Sequence, residues 1–255
     1  MIGKPSALAL HLVRCLPDLW TGYDAMDDFP EFHSGLARQA MAQREKELCG
    51  LVDAVVVSSS FLAEKLRNHR PDLAVIRNAF DADVLPLPRW EPRGGEVFGY
   101  IGALGEWFDW GCVAALARSY PRADIRLIGP CLIPPPHRLP ANVRILPPCP
   151  GAEVGRHLNE FRIGLIPFRQ TPLTRGVDPI KYYEYRAVGL PVLSTTFGEM
   201  VTRQGQEGVY FLDGSGGIEA SVAAALTYFP DPLQVETWRR ENSWRHRFSA
   251  ARLFL

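Results

Sequence analysis

Lys181 and Glu184 are the two residues best placed to do chemistry in this sequence. Their spacing of three puts them on one side of a helix. An ammonium there neutralises a phosphate, and a carboxylate one turn later accepts hydrogen bonds from sugar or ribose hydroxyls. Asp178 lies at the start of the same stretch, where a helix N-terminus attracts anions through unpaired N–H groups and its dipole. Arg169 and Arg175, just upstream, are further cations for a diphosphate. Gly102 and Gly105 form a Gly-x-x-Gly turn after an apolar run, which lets backbone N–H groups approach a phosphate closely. Together these residues suit a nucleoside diphosphate linked to a sugar. Gly102, Gly105, Arg169, Arg175, Lys181 and Glu184 are the candidates for holding such a ligand. The plainer alternatives are a solvated Lys–Glu pair on a crossover helix and an ordinary turn after a strand.

The element that must position Lys181 and Glu184 carries its own boundary signals. Asp178 is a credible N-cap, and Pro179 fits the first helical position, where its missing N–H costs nothing. Gly189 supplies a left-handed end, and Pro191 prevents the helix from resuming. Ile180, Tyr183 and Ala187 recur at helical spacing and are expected to face the core. A buried strand follows directly through Val192 and Leu193.

Pro179-x-Lys181-x-x-Glu184-Tyr185-x-Ala187-x-Gly189-x-Pro191-Val192 resembles the donor-binding helix of group 1 (family 4-like) GT-B glycosyltransferases. The resemblance runs from about residue 20 to the C-terminus and is strongest over 97–201. It implies an α/β protein: a Rossmann-like GT-B C-terminal domain behind a partial Rossmann-like N-terminal domain. It implies a hexosyltransferase of polysaccharide or glycolipid biosynthesis, retaining, independent of metal and without a stable enzyme nucleophile. No cofactor is called for; the donor, UDP- or GDP-linked, is a substrate. The acceptor is then a saccharide or a lipid-linked saccharide. Glu184 matches the second of two family glutamates and would hold the nucleotide ribose. The first falls on Gly176, eight positions earlier, so Asp178 is the nearest substitute and, with Lys181, the candidate for catalysis that the resemblance implies; the other residues above would hold the donor. A basic pair that the family places after its first glycine loop is replaced by Glu106-Trp107. These departures support an alternative, a non-catalytic nucleotide-sugar-binding fragment or subunit of a split transferase. A sugar-nucleotide epimerase of the same architecture fits the helix motif less well.

The chain has 255 residues, 47% hydrophobic and 22% charged, as in ordinary globular proteins. Its formal net charge is zero, so no overall field draws it to nucleic acid or an anionic membrane. The five cysteines are scattered without metal-ligand spacing, which fits a reduced, cytoplasmic setting. No apolar run reaches the roughly 18 residues of a spanning helix. A peripheral position at the inner membrane stays open, because family acceptors are often lipid-linked.

Residues 1–84 read as the partial N-terminal, acceptor-side domain, 85–96 as a Pro- and Gly-rich linker and 97–255 as the donor domain, whose last helix is a candidate to cross back. Helices are expected over 5–16, 34–50 and 61–68, with strands near 19–24, 51–58 and 73–78. A complete N-terminal domain would need about 100 further residues, so a missing half or a partner subunit is expected. Beyond the linker, strands at 97–102, 125–129, 143–146, 163–168 and 191–194 alternate with helices, which argues for a parallel sheet. Residues 130–140 form a stiff proline-rich loop, and 217–229 and 232–248 are closing helices. Asp27 and Asp28 follow the first strand as solvated loop acids, or as groups that bind an acceptor or an interdomain partner. Asp81-x-Asp83 superficially resembles a metal-binding pair, and the histidines never cluster.

Overall fold

The computed structural model describes residues 1–88 and 95–251. Residues 89–94, the middle of the expected linker, lie outside the described residues. The first half contains α1 (Ala7–Cys15), β1 (Gly22–Ala25), α2 (Gly35–Leu51), β2 (Ala54–Val57), α3 (Ser60–Arg67) and β3 (Ala74–Val75). Its three strands pair in parallel in the order β1-β2-β3. Serines cap the starts of α1 and α3: Ser6 accepts from Ala9 N (3.1 Å), and Ser59 from Leu62 N (3.2 Å), whereas Ser34 before α2 makes no capping bond.

The second half begins with β4 (Val97–Ile101), α4 (Trp110–Ser119), β5 (Asp124–Ile128) and β6 (Val143–Leu146). It continues through α5 (Gly151–Glu160), β7 (Ile163–Ile166), α6 (Pro172–Arg175), α7 (Ile180–Ala187) and β8 (Val192–Ser194). A 3-10 turn over Gly198–Arg203, β9 (Val209–Phe211), α8 (Gly217–Thr227), α9 (Pro232–Glu241) and α10 (Trp244–Ala251) complete it. Six parallel strands stand in the order β6-β5-β4-β7-β8-β9. From β4 the chain first winds outward through β5 and β6, then returns to the other side of β4 with β7. That reversal is the topological switch point, where open parallel sheets bind ligands beyond the carboxyl ends of their strands.

Both faces of this sheet are buried, so its strands are nearly continuous apolar runs; every residue of β7 and β8 is buried. One face packs Phe161, Tyr183, Tyr185 and Leu190, and the other packs Phe98, Phe108, Val113 and Leu127. Gly99 sits flat against the Phe161 ring, where any Cβ would overlap it.

Several expected boundaries move. Pro179, not Asp178, occupies the N-cap of α7, and no side chain caps that end. Asp178 fails as a cap because stronger charged and hydroxyl partners hold its carboxylate, as described below. Ile180 is 43% exposed, whereas Tyr183 and Ala187 are buried. Gly189 takes φ +70°, and Leu190 N donates to Tyr185 O (2.9 Å), which ends α7 by the expected left-handed device. The expected closing helix 232–248 breaks at Asn242 and Ser243, because Phe80 bridges that point: its N–H donates to Asn242 O, and Trp244 N donates to Phe80 O.

Two buried carboxylates, Asp178 and Glu199, are among the polar links that join the halves. Asn78 N donates to Asp178 Oδ2 (2.8 Å), and Asn78 Nδ2 donates to Asp178 O (2.5 Å). Glu199 accepts from Ser60 N and pairs with Arg77. Among the described residues no helix is long and apolar enough to cross a membrane.

Candidate functional site

A cleft of about 370 Å³ opens between the two sheets. Its floor is the turn after β4, with Gly102 and Ala103, and one wall is the N-terminal end of α7, with Ile180 and Lys181. Asp27, just beyond the carboxyl end of β1, lies on the opposite wall. Trp107, Phe168 and Phe32 supply flat apolar surface between them. The cleft therefore sits at the switch point of the larger sheet and faces the ends of both sheets.

Local chemistry explains the floor. Gly102 N donates to Ile128 O (2.9 Å), so this glycine's amide is committed to the sheet and does not face a ligand. Its lack of a side chain matters instead, since a Cβ there would stand 2.7 Å from the Tyr100 hydroxyl. That hydroxyl donates to Ala103 O (3.0 Å) and pins the turn. Burial pushes the Tyr100 hydroxyl well above the usual phenol range, so it stays a neutral donor. Gly129 passes so close beneath that any Cβ on it would overlap Gly102 O. Gly105 does not line the cleft; its bare Cα accepts the Trp107 ring, which does.

Lys181 Nζ pairs with Glu184 Oε2 at 2.6 Å, with side chains 23% and 19% exposed. The expected shared side of α7 is therefore an ion pair whose ammonium end meets the cleft. Arg169 and Arg175 are elsewhere. Arg169 is exposed and absent from the cleft lining. The short helix α6 carries Arg175 away from the cleft and sets its guanidinium 5.5 Å from the centre of the Phe61 ring, in a separate recess beside Glu64. Among the described residues Lys181 is the one cation lining the cleft.

Asp178 borders the cleft, but its carboxylate has no free face. Oδ1 pairs with Arg203 Nη2 (2.5 Å), while Oδ2 accepts from Tyr183 Oη (2.9 Å) and Asn78 N. With its side chain 0% exposed, it cannot touch a substrate. The expectation of a catalytic Asp178 is thus corrected: three partners from three segments have turned it into the pin that joins the halves.

The acids after β1 divide in the same manner. Asp28 is bound by Lys65 (2.6 Å), which also holds the buried Glu45 (2.6 Å). Asp27 has no hydrogen bond or ion pair to its carboxylate among the described residues. Burial in the apolar cleft, and next the neighbouring Asp28, push its carboxyl up to about 6. An unpartnered acid facing an open cleft is poised to accept a hydrogen bond. Of the readings that the sequence allows for this pair, a solvated loop acid or a group binding an acceptor or an interdomain partner, Asp28 fits none, because Lys65 of the same half holds it. Asp81 and Asp83 form a local turn, with Asp83 N donating to Asp81 Oδ1 (2.9 Å).

No family model matches the chain. TuaH of Bacillus subtilis (strain 168), named as a glycosyltransferase of teichuronic acid biosynthesis, is 25% identical over 179 residues. That match covers 64% of this chain and 45% of TuaH, so the chain spans less than half the length of this curated relative. Sucrose-phosphate synthase from Thermosynechococcus elongatus superposes with a TM-score of 0.65 at 14% identity, over 96% of this chain and 67% of the synthase. HepE from Anabaena, solved with UDP-glucose, superposes with a TM-score of 0.66 at 14% identity, over 96% of this chain and 77% of HepE. The fold is GT-B.

In GT-B terms the six-stranded sheet corresponds to the Rossmann-like half that the helix motif predicts. The cleft with Lys181, Gly102 and Asp27 lies between that half and the smaller sheet. Phe168 and Asn78 were not singled out from sequence, and Trp107 was noted only as standing where the family places a basic residue.

Proposed function

We propose that this chain transfers a hexose from a nucleoside-diphosphate sugar to a saccharide or lipid-linked acceptor. The carrying observation is that the Lys181 end of α7 and the Gly102–Ala103 turn share one cleft with Asp27 opposite. The homology to TuaH supports the transferase class and points to cell-surface polysaccharide synthesis. HepE, whose structure holds UDP-glucose on a similar fold, supports a UDP-linked donor over a GDP-linked one.

In this reading the diphosphate lies across the start of α7, where Lys181 and the free N–H groups of the first turn stabilise the charge that develops on the leaving group. Glu184 accepts from the ribose or sugar hydroxyls. Trp107 and Phe168 give the sugar and base apolar faces. Asp27 accepts a hydrogen bond from the acceptor hydroxyl and aims its oxygen at the anomeric carbon. As that C–O bond forms, the bond from the anomeric carbon to the diphosphate oxygen breaks. The hydroxyl proton leaves with the departing diphosphate, and configuration is retained. No metal is assigned a part in this account. A peripheral position at the inner membrane would bring a lipid-linked acceptor to the Asp27 wall.

The second reading is a donor-binding subunit that needs a partner for transfer. Its support is Gly176, which is buried against Leu62 where the resemblance expects a carboxylate. Incubation of the purified chain with UDP- and GDP-sugars and short saccharide acceptors separates the two. Glycosylated acceptor or released nucleoside diphosphate supports the enzyme; donor binding without either product supports the subunit.

A further inference from the structure

A second cavity, about 560 Å³, lies on another side of α7 from the donor cleft. Four arginines line it: Arg77, Arg186, Arg203 and Arg247. Arg77 and Arg203 are matched by Glu199 and Asp178. Arg186 and Arg247 have no carboxylate partner among the described residues. Arg186 Nη1 donates to the Tyr228 hydroxyl (2.9 Å) and its guanidinium stands 5.4 Å from that ring's centre. Arg247 Nη2 donates to Asn242 Oδ1 (2.7 Å), while its Nε is buried with no hydrogen-bond partner. A buried guanidinium N–H without an acceptor is costly, and native proteins rarely leave one.

From this arrangement we infer that the cavity is a binding site for a soluble phosphate-bearing anion, separate from the donor cleft. Guanidinium groups present paired N–H donors that match phosphate oxygens, and their charge persists at any physiological pH. The cavity is far larger than one phosphate needs, and Tyr182, Tyr228 and Trp238 line the remainder with aromatic surface. A phosphate ester with a sugar or ring attached fits that combination. The sole acid among the described lining residues, Glu207, is exposed and makes no ion pair among the described residues. Occupancy would be felt in the donor cleft, because Arg203 bounds the cavity while its Nη2 grips Asp178, the pin behind that cleft.

The test uses the full chain and pyrophosphate as the probe, followed by calorimetry at fixed ionic strength. The expected result is saturable binding that weakens about tenfold in Arg186→Gln or Arg247→Gln, the loss typical of one charge-assisted contact. Lys181→Ala should abolish any second, donor-cleft binding of pyrophosphate and leave the arginine-dependent site intact. Glu207→Gln, an exposed change that does not threaten the fold, should tighten binding about twofold by removing a like charge. Pyrophosphate affinity that is lost in Lys181→Ala and kept in the arginine variants would place the anion in the donor cleft and overturn the inference. So would Glu207→Gln with unaltered affinity, or heats no larger than those of chloride.

Discussion

Asp27→Asn should make the protein more stable at pH 8 and leave its stability unchanged at pH 4. The Asp27 carboxyl is pushed up to about 6 by burial and by Asp28. An unfolded aspartate titrates near ~3.9, and each pH interval of difference corresponds to ~1.4 kcal/mol. The native state thus binds this proton more tightly than the unfolded chain. Stability is lost as pH rises from about 4 to about 6, and the full penalty stands above that window. The arithmetic gives ~3 kcal/mol as a ceiling, and solvent reaching the partly exposed group reduces it to ~1–2 kcal/mol. Asparagine keeps the shape without the charge, so that amount returns above pH 7. Urea denaturation of both proteins between pH 4 and pH 8 measures the difference directly. Asp24, also raised by burial, contributes the same slope to both and cancels in the comparison. The same variant should lower the transfer rate without changing donor affinity. A stability gap that is constant with pH, or an asparagine variant less stable at pH 8, would refute the claim that Asp27 is an unpaired acid in an apolar cleft.

Glu184→Ala should weaken nucleotide-sugar binding about tenfold while the thermal midpoint moves little, since the ammonium it releases still reaches solvent. Differential scanning fluorimetry and donor titration on one preparation check both halves of that statement. Asp178→Asn should cost ~3–5 kcal/mol, because it leaves the buried Arg203 uncompensated; urea unfolding reads this, and a loss below ~1 kcal/mol would remove the pin from the account. Gly129→Ala should damage donor binding from outside the cleft, since its methyl group displaces the Gly102 carbonyl. Calorimetry showing normal donor affinity in a folded Gly129→Ala protein would contradict the role given to that turn.

The larger sheet was readable in the sequence because its strands are apolar runs with turn signals at both ends, and the helix motif marked which strand ends matter. β9 was missed for the opposite reason: Val209, Tyr210 and Phe211 make only one short run beside Gly208, too brief for any period to show. α6 was missed because a four-residue helix leaves no period either, although Thr171 and Thr174 cap it reciprocally. That small helix is what turns Arg175 onto Phe61, so an arginine close in sequence to the donor helix lines a different recess from its cleft.

Asp178 shows the limit of local rules most clearly. Its position before Pro179 satisfies every sequence criterion for an N-cap, yet its partners come from 5, 25 and 100 residues away. A capping bond cannot compete with a buried guanidinium for the same carboxylate. The neighbouring acids at 27 and 28 look alike in sequence and differ only because Lys65 reaches one of them. Which of two adjacent carboxylates stays free is a question of packing, and only the folded arrangement answers it.

The decisive measurement is a calorimetric titration of the wild-type chain and Lys181→Ala with a panel of UDP- and GDP-sugars. The account predicts one saturable site for at least one donor, weakened about tenfold or more when the ammonium is removed from the mouth of the cleft. Wild-type affinity in the alanine protein, or no saturable heat from any donor at millimolar concentration, would contradict it.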